Sequence, residues 1–586
     1  MRVLEGLIKL RKISNSRIYA ILIALTLITV VSALAFTPAS ANDVERVFVT
    51  PRISESKTWD PMVGYGAGSD MVTFNLYEAL LGVEYTDEGN WEFYPLLATS
   101  WDIADDYSEI TFQLREEVTF HDGTPFNSSA VKYWFDRMMG VNRGPAWLYA
   151  TYIEDVDPVD TYTVVVKLND PTPTFDILSI MSNPFGAYAI VSPSYVQAHA
   201  TDEDPWAEDW MYDHACGTGP YELESVTHGT ENVWVKFEDY WGGWEGDHID
   251  KVVFKIIGDT QVQLMQFLSG ELDTLDPEYS QIDDIQNQKE DAELFVDGTF
   301  LSELYVFINT AKDGPLQDIN VRKAISYAFD YEGVVEQVYG GYALQGKGPL
   351  PHTIPDFDPE AFQYSYNLTK AKEYMAMSEY PDGFSALIVP SPGNWEQIAQ
   401  VFQSNVAELG IDVEIQAMPY SVLWDLMADP QEAPEFTIAL WYPDYPTADS
   451  YLTPVFGPLE WSWQNWAYYE NEEVNQLLDE GRFEFDEDAR TAIYKEIQSI
   501  IIDDAPCVFM IEEDRLTFLQ PYVEGYHRVP SHQAYSIYKM SIEDKYPPEE
   551  PEPEPKPKGI PGFPYESVAV GLAAGAILVW YLSKNK

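Results

Sequence analysis

Cysteine is nearly absent: Cys216 and Cys507 are the only two in 586 residues. No CxxC occurs, so thiol redox motifs and thiolate-rich zinc sites are excluded. A disulfide between the pair is permitted only in an oxidising compartment, and each cysteine also reads as a small buried residue. The eight histidines are scattered, with no HExxH, so no metal site is expected. No GxSxG elbow is present. Basic residues are scarce too, 34 against 96 acidic, for a net charge of −62. That charge repels phosphate backbones and anionic lipid surfaces, which excludes nucleic acid as a partner. Gly341-x4-Gly346-Lys347 begins like a phosphate-binding loop, but Gly348 stands where magnesium coordination needs Ser or Thr. No cofactor is therefore expected.

What the chain does have is length, rings and carboxylates. Its 586 residues exceed what one compact core supports, which implies two or more lobes. With 46% hydrophobic and 22% charged residues it has the composition of a folded protein. Aromatics reach 14%, including 17 Trp and 39 Tyr, either as stacking sites for a ligand or as a ring-rich core. Acidic pairs such as Asp105-Asp106 and Asp503-Asp504 abound, so any one of them reads as solvated surface before it reads as a glycosidase dyad. A secreted hydrolase acting through a carboxylate pair is the reading from outside the binding-protein class; no catalytic residue is assigned.

The two ends carry address signals. Arg2, Lys9, Arg11, Lys12 and Arg17 precede an apolar run from Ile18 to Phe36, then Ala39-Ser40-Ala41. That order is a signal peptide over 1–41, with a retained anchor as the rival. YPPEEPEPEPKPKGIPGFP follows the main body over residues 42–545. Its stretch 546–559 is a Pro/Glu-rich linker, a stiff polyproline spacer. Residues 560–586 hold the apolar run Val568–Leu582 and close with Lys584 and Lys586, a C-terminal transmembrane anchor with its lysines in the cytoplasm. The PGF–apolar–basic order also resembles archaeal C-terminal sorting signals, whose tail is processed. Either reading tethers the body on the extracellular face of the membrane.

Within the body, strand and helix patterns mix. ITFQLREEVTF alternates Ile110, Phe112 and Leu114 with period two. Asn127 or Ser128 caps a helix whose face holds Val131, Trp134, Phe135 and Met138. KVVFKII (251–257) is a buried strand, followed by a helix to Gly270. In NWEQIAQVFQSNVAELGIDVEIQ, Asn394 caps a helix with Gln397 at the capping-box position, Gly410 ends it, and Ile411, Val413 and Ile415 alternate in a strand. A short helix surrounds Trp424, and FTIALW (436–441) is a strand again. Asp444 then stands in WYPDYPTADSYL among Trp441, Tyr442, Pro443, Tyr445 and Pro446, just past a strand's carboxyl end, where ligands bind in open α/β sheets.

The stretch YPLLATSWDIADDYSEITFQLREEVTFHDGTPFNSSAVKYWFDRM resembles the signature region of the family 5 solute-binding proteins of ABC importers. The resemblance continues in order through CGTGPYEL, DYWGG, DKVVFKII, LSGELD, VFINT, NVRKAISYAFDYEGVVEQVYGGYA, the DYP loop, ENEEVNQLLDEG and IIIDDAPCVFMI, covering nearly all of residues 44–540. It implies an α/β, periplasmic-binding-protein-like fold of class II, cluster C type: two lobes joined by a hinge, with an extra subdomain inserted in the first. It further implies a monomeric receptor that captures oligopeptides by lobe closure and delivers them to permease subunits with their ATPase. An oligosaccharide receptor of the same fold is the alternative. By the same resemblance Asp444 matches the residue that pairs with a peptide's α-ammonium, against the plainer reading of a turn cap before Pro446. Trp441 and Tyr445 surround it, Trp424 lines side-chain pockets or sits in the core, and Asn394 joins the candidate ligand-binding residues. The strand before the loop lacks the arginine that clamps a carboxylate in some peptide binders, which puts a fixed-length dipeptide in doubt. Asn127 and Asn367 begin N-x-Ser/Thr glycosylation acceptors.

Overall fold

A computed structural model describes residues 45–542, apart from 65–68, 87–88, 183–188, 299–300, 461, 463 and 530–533, together with Lys545 and Lys584. The chain divides into two units, residues 1–542 and 543–586. The expected signal (1–41), linker (546–559) and tail anchor (560–586) lie outside the described residues, Lys584 excepted. Among the described residues no helix is long and apolar enough to cross a membrane.

The first unit is built on separate sheets. One is four-stranded, with Val47–Arg52 parallel to Lys251–Ile256, which continues antiparallel into Glu231–Lys236 and Tyr221–Thr227. Val252 and Phe254 are buried on one face of the expected 251–257 strand. Asp259 caps the following helix Thr260–Ser269, and Gly270 ends it at a φ of 80°, a left-handed conformation that glycine adopts without cost.

Between the first two strands of that sheet in chain order, Val47–Arg52 and Tyr221–Thr227, lies an inserted antiparallel layer. Its order is Ala98–Ile103, Glu109–Leu114, Thr163–Leu168, Ile153–Asp160. Ile110, Phe112 and Leu114 are buried, as their alternation requires. The helix Ser128–Val141 packs beside it, capped by Asn127, whose side chain accepts from the Ser129 amide. Val131, Trp134, Phe135 and Met138 are buried. Asn367 likewise caps its helix, Leu368–Met377, so both glycosylation acceptors already hold structural hydrogen bonds. A buried pair ties the helix to the loop after the first strand: Arg137 meets Asp60 through two bonds of 2.8 and 2.6 Å.

The second sheet is six-stranded, in the order Ala343–Gln345, Cys507–Glu513, Glu303–Ile308, Phe436–Trp441, Ser385–Val389, Asp412–Ile415. Its first four strands are antiparallel and its last three parallel. Their apolar faces gather one continuous core spanning Leu301 to Ile511. Cys216 and Cys507 are both buried and free, so no disulfide joins them. One local expectation fails. The helix Asn394–Ala407 is capped by Gly393, at a φ of 95°, and no side-chain cap bond forms. Asn394 is already the first helical residue, so it cannot serve as the cap, and the capping box with Gln397 is lost with it.

Two passes of the chain connect the sheets. Glu293–Asp297 runs on toward Glu303–Ile308, and Cys507–Glu513 continues through Asp514 into Arg515–Leu519. The outer ends of both passes pair with each other and with Thr274–Leu275 in a three-stranded antiparallel sheet. That sheet is fastened to the first one: the Asp273 amide donates to Val49 O at 2.7 Å, and the Thr50 and Thr274 hydroxyls bond at 2.7 Å. Two adjacent extended segments can bend together, which is the geometry a hinge needs.

Candidate functional site

The strand Phe436–Trp441 is central in its sheet because every residue but Leu440 is buried, a continuous apolar run as a doubly covered strand requires. It ends at Trp441, opposite Glu303. The next residues cannot continue the ladder, since Pro443 and Pro446 have no amide to donate. The chain turns, and Thr447 caps a new helix, Ala448–Phe456, by accepting from the Ser450 amide. Asp444 lies in this turn with 8% of its surface exposed, a buried carboxylate beside a strand's carboxyl end.

Two of the neighbouring rings have hydrogen-bond partners elsewhere. Trp441 is 6% exposed, belongs to the core of the six-stranded sheet, and donates its indole N–H to Ser450 O at 3.2 Å. Tyr445 is buried, and its hydroxyl meets Tyr152 OH at 3.1 Å. Tyr152 closes the helix Ala146–Tyr152, next to the inserted layer. Burial pushes the Tyr445 phenol up, so it stays neutral and able to donate. Trp424, on the helix Tyr420–Leu426, is half-buried with its ring 4.9 Å from Trp466 and 6.2 Å from Tyr420. Trp395 approaches Tyr420 at 5.8 Å, which brings the helix begun by Asn394 to the same ring cluster. The structure thus gathers Trp441, Asp444 and Tyr445 in one turn and places Trp424 in a packed aromatic group whose rings mostly contact one another.

Several participants had no signal in the sequence. Asp449, in the first turn of the helix after the loop, accepts from Arg482 at 3.1 Å on Oδ2 and at 3.1 and 3.2 Å on Oδ1, where Thr453 also donates at 2.7 Å. Both Asp449 oxygens are thereby engaged, which fixes the helix that follows Asp444. Contacts also cross from the segment between the first sheet's strands to the second lobe. Besides Tyr152–Tyr445 these are Trp91 Nε1 to Thr353 O at 2.9 Å, the Tyr107 and Phe485 rings at 4.6 Å, and Arg490 with Asp176 at 3.9 Å. Asp176 is pushed up to about 7 by burial, against the opposing pull of Arg490. These residues lie hundreds of positions apart and match no spacing rule; only the fold brings them together. Among the described residues no group of His, Cys, Asp or Glu could hold a metal ion.

Comparison with known proteins places this geometry among relatives. The family model of bacterial extracellular solute-binding proteins, family 5, middle region, matches residues 92–463. A probable D,D-dipeptide-binding periplasmic protein of Escherichia coli (strain K12) is 30% identical over 525 residues, covering 88% of this chain and 98% of that protein. Heme-binding protein A of Haemophilus influenzae is 27% identical over 509 residues, covering 82% and 88%. Among solved structures, a periplasmic binding protein from Helicobacter pylori in complex with the peptide STSA superposes with a TM-score of 0.72 at 24% identity, covering 86% of this chain and all of that one.

Proposed function

Because the chain belongs to the family 5 extracellular solute-binding proteins, the binding components of ABC importers, we propose that it captures oligopeptides outside the cell by closing its lobes and hands them to a membrane permease. By family it is a binding protein and not an enzyme. The observation that supports a peptide is Asp444: a carboxylate 8% exposed, held in a ring-lined turn at a strand's carboxyl end. A buried ammonium needs such a counter-charge, since desolvating it alone costs several kcal/mol. Nearby rings exclude water and add cation–π attraction. The ring cluster around Trp424 packs on itself, which favours this reading over a sugar stacked on an open aromatic platform. Tethering by residues 560–586 and action as a monomer complete the proposal.

The test is recovery of the natural ligand. The protein purified from its own cells and denatured should release peptides, identified by mass spectrometry. The same peptides added back should lower the radius of gyration in solution scattering, as hinge closure requires. Recovery of oligosaccharides and no peptide would overturn the peptide reading and leave family membership standing.

A further inference from the structure

A cavity lies beside the hinge passes, away from the Asp444 turn. It encloses about 320 Å³ and shares no lining residue with that turn. In a chain of net charge −62 its lining is unusual: Arg52, Arg515 and Arg528 converge on it from three separate segments, with Asp276 as its one lining carboxylate. Arg52 ends the first strand, Arg515 begins the outer part of the second hinge pass, and Arg528 sits on a short strand paired with Ala534–Tyr535.

Arg528 is the built element. It is 6% exposed, and one end of its guanidinium is fixed: Nη2 reaches Thr517 Oγ1 at 3.1 Å, Tyr526 OH at 3.3 Å and Asp276 Oδ1 at 3.4 Å. Its Nε is buried and has no hydrogen-bond partner among the described residues. A buried cationic N–H left without an acceptor is costly, and the missing acceptor is an oxygen, preferably a charged one. Asp276 cannot fill the role, because its side chain is 62% exposed and it meets only the far nitrogen. Asp297, in register with Arg515, offsets part of the positive charge.

We propose that this cavity is a carboxylate site, with Arg528 as the principal donor and Arg52 on the facing segment. The carboxylate comes either from the C-terminus of a bound peptide or from a free organic acid. Its consequence is mechanical: Arg52 belongs to the first sheet and Arg515 to a hinge pass, so an anion between them ties the two together. It also offers an explanation for the missing clamp arginine before the DYP loop, since the charge for a carboxylate is supplied from the other side of the hinge.

The test uses calorimetry on the full mature chain with three probes: tetra-alanine, its C-terminal amide, and glutarate. The peptide arm rests on the peptide reading above, whereas the glutarate arm does not. If amidation weakens wild-type binding tenfold or more but changes Arg528→Gln by less than twofold, the site takes the peptide's carboxylate. If instead glutarate binds the wild type, loses tenfold or more in Arg528→Gln, and amidation is without effect, the site takes a free acid. Should Arg528→Gln fail to fold by circular dichroism, Arg52→Gln, at a half-buried position, carries the same comparison with an expected loss of threefold or more. Affinities within twofold of wild type in the folded variants, or no heat from any probe with the wild type, overturn the proposal. Tetra-alanine and its amide both silent while glutarate binds through Arg528 would count against the peptide reading alone.

Discussion

Replacing Asp444 by Asn is the sharpest probe of the turn, because it removes a charge and almost nothing else. The two side chains are nearly isosteric, and Asn serves as well as Asp in a local turn or cap, so the fold around Thr447 and Ser450 should persist. The energy at stake follows from burial. Asp444 is 8% exposed, so bulk water screens little of its field. At a separation of about 4 Å and an effective dielectric near 20, an ammonium–carboxylate attraction is about 4 kcal/mol. Leaving the ammonium buried without its partner costs about 3–5 kcal/mol. Peptide affinity should therefore fall by between about a hundredfold and several thousandfold. The assay is a cycle by calorimetry: wild type and Asp444→Asn, each with a peptide and its N-acetyl form. Acetylation removes the ligand's charge, so the wild type should lose affinity heavily and the variant much less. The two losses should not add. Normal peptide binding by the folded Asp444→Asn variant would refute the charge-pair argument and leave Asp444 a turn residue.

Other expectations rest on single features. Arg137→Met strands the buried Asp60 carboxylate and should cost about 3–5 kcal/mol in urea unfolding; adding Asp60→Asn should recover part of that, and simple additivity would contradict the pairing. Glu303 is fully buried, with neither carboxyl oxygen hydrogen-bonded among the described residues, and burial followed by the charge of Glu512 pushes its acid well up. The folded state then keeps a proton that the unfolded chain releases, so stability falls as pH rises above the ordinary carboxylate range, by about 1.4 kcal/mol per pH unit at most. Glu303→Gln should melt with less pH dependence than wild type between pH 5 and 8, and parallel profiles would refute this. Asp176, pushed up to about 7 by burial, takes up a proton when the lobes bury it. Lowering the pH from 8 to 5 should therefore favour the closed form of ligand-free protein in scattering, and Asp176→Asn should abolish that shift.

Much of the architecture was legible because it rests on local rules. The alternation of Ile110, Phe112 and Leu114, the Asn127 cap, the Gly270 stop and the buried FTIALW strand each follow from period, cap or turn chemistry within a dozen residues. Asn394 was misread because a glycine with positive φ directly before it takes the cap position, and a motif match does not reveal backbone handedness. Asp444 was found as a carboxylate after a strand. The environment of its neighbours was not, because Tyr445 finds its partner in Tyr152 through the packing of the lobes, and Asp449 finds its partner in Arg482 through the packing of two neighbouring helices. The Arg52–Arg515–Arg528 convergence was invisible for the same reason. Each arginine alone is an ordinary residue in an acidic chain, and only the folded hinge places them around one cavity.

The contacts that cross between the lobes bear on how a solute controls closure. A Tyr–Tyr hydrogen bond contributes about 1 kcal/mol net, and an Arg–Asp approach of 3.9 Å between Arg490 and Asp176 is too long for a strong charge-assisted bond. Arg490 is also held by Asp356 at 3.2 Å within its own lobe, so losing Asp176 leaves it paired. Trp91 to Thr353 adds one more neutral bond. Together these amount to a few kcal/mol. On the proposed lobe-closure reading, contacts of that size would hold the closed form only weakly without solute. A ligand has to supply only a modest differential affinity to shift the population, since about 5.5 kcal/mol moves an equilibrium from 1:99 to 99:1. On the peptide reading proposed above, one buried ion pair at Asp444 would provide most of that. Tyr445, adjacent to Asp444, forms its cross-lobe bond from the same turn, so on the proposed reading ligand capture and latch formation would share one segment. Removing the latch hydroxyl by Tyr445→Phe should leave the Asp444 charge pair intact and weaken peptide binding by only about 1 kcal/mol, roughly fivefold. Scattering should show the ligand-free Tyr445→Phe protein shifted toward the open form. A loss as large as that of Asp444→Asn would mean that Tyr445 touches the ligand directly and is no latch.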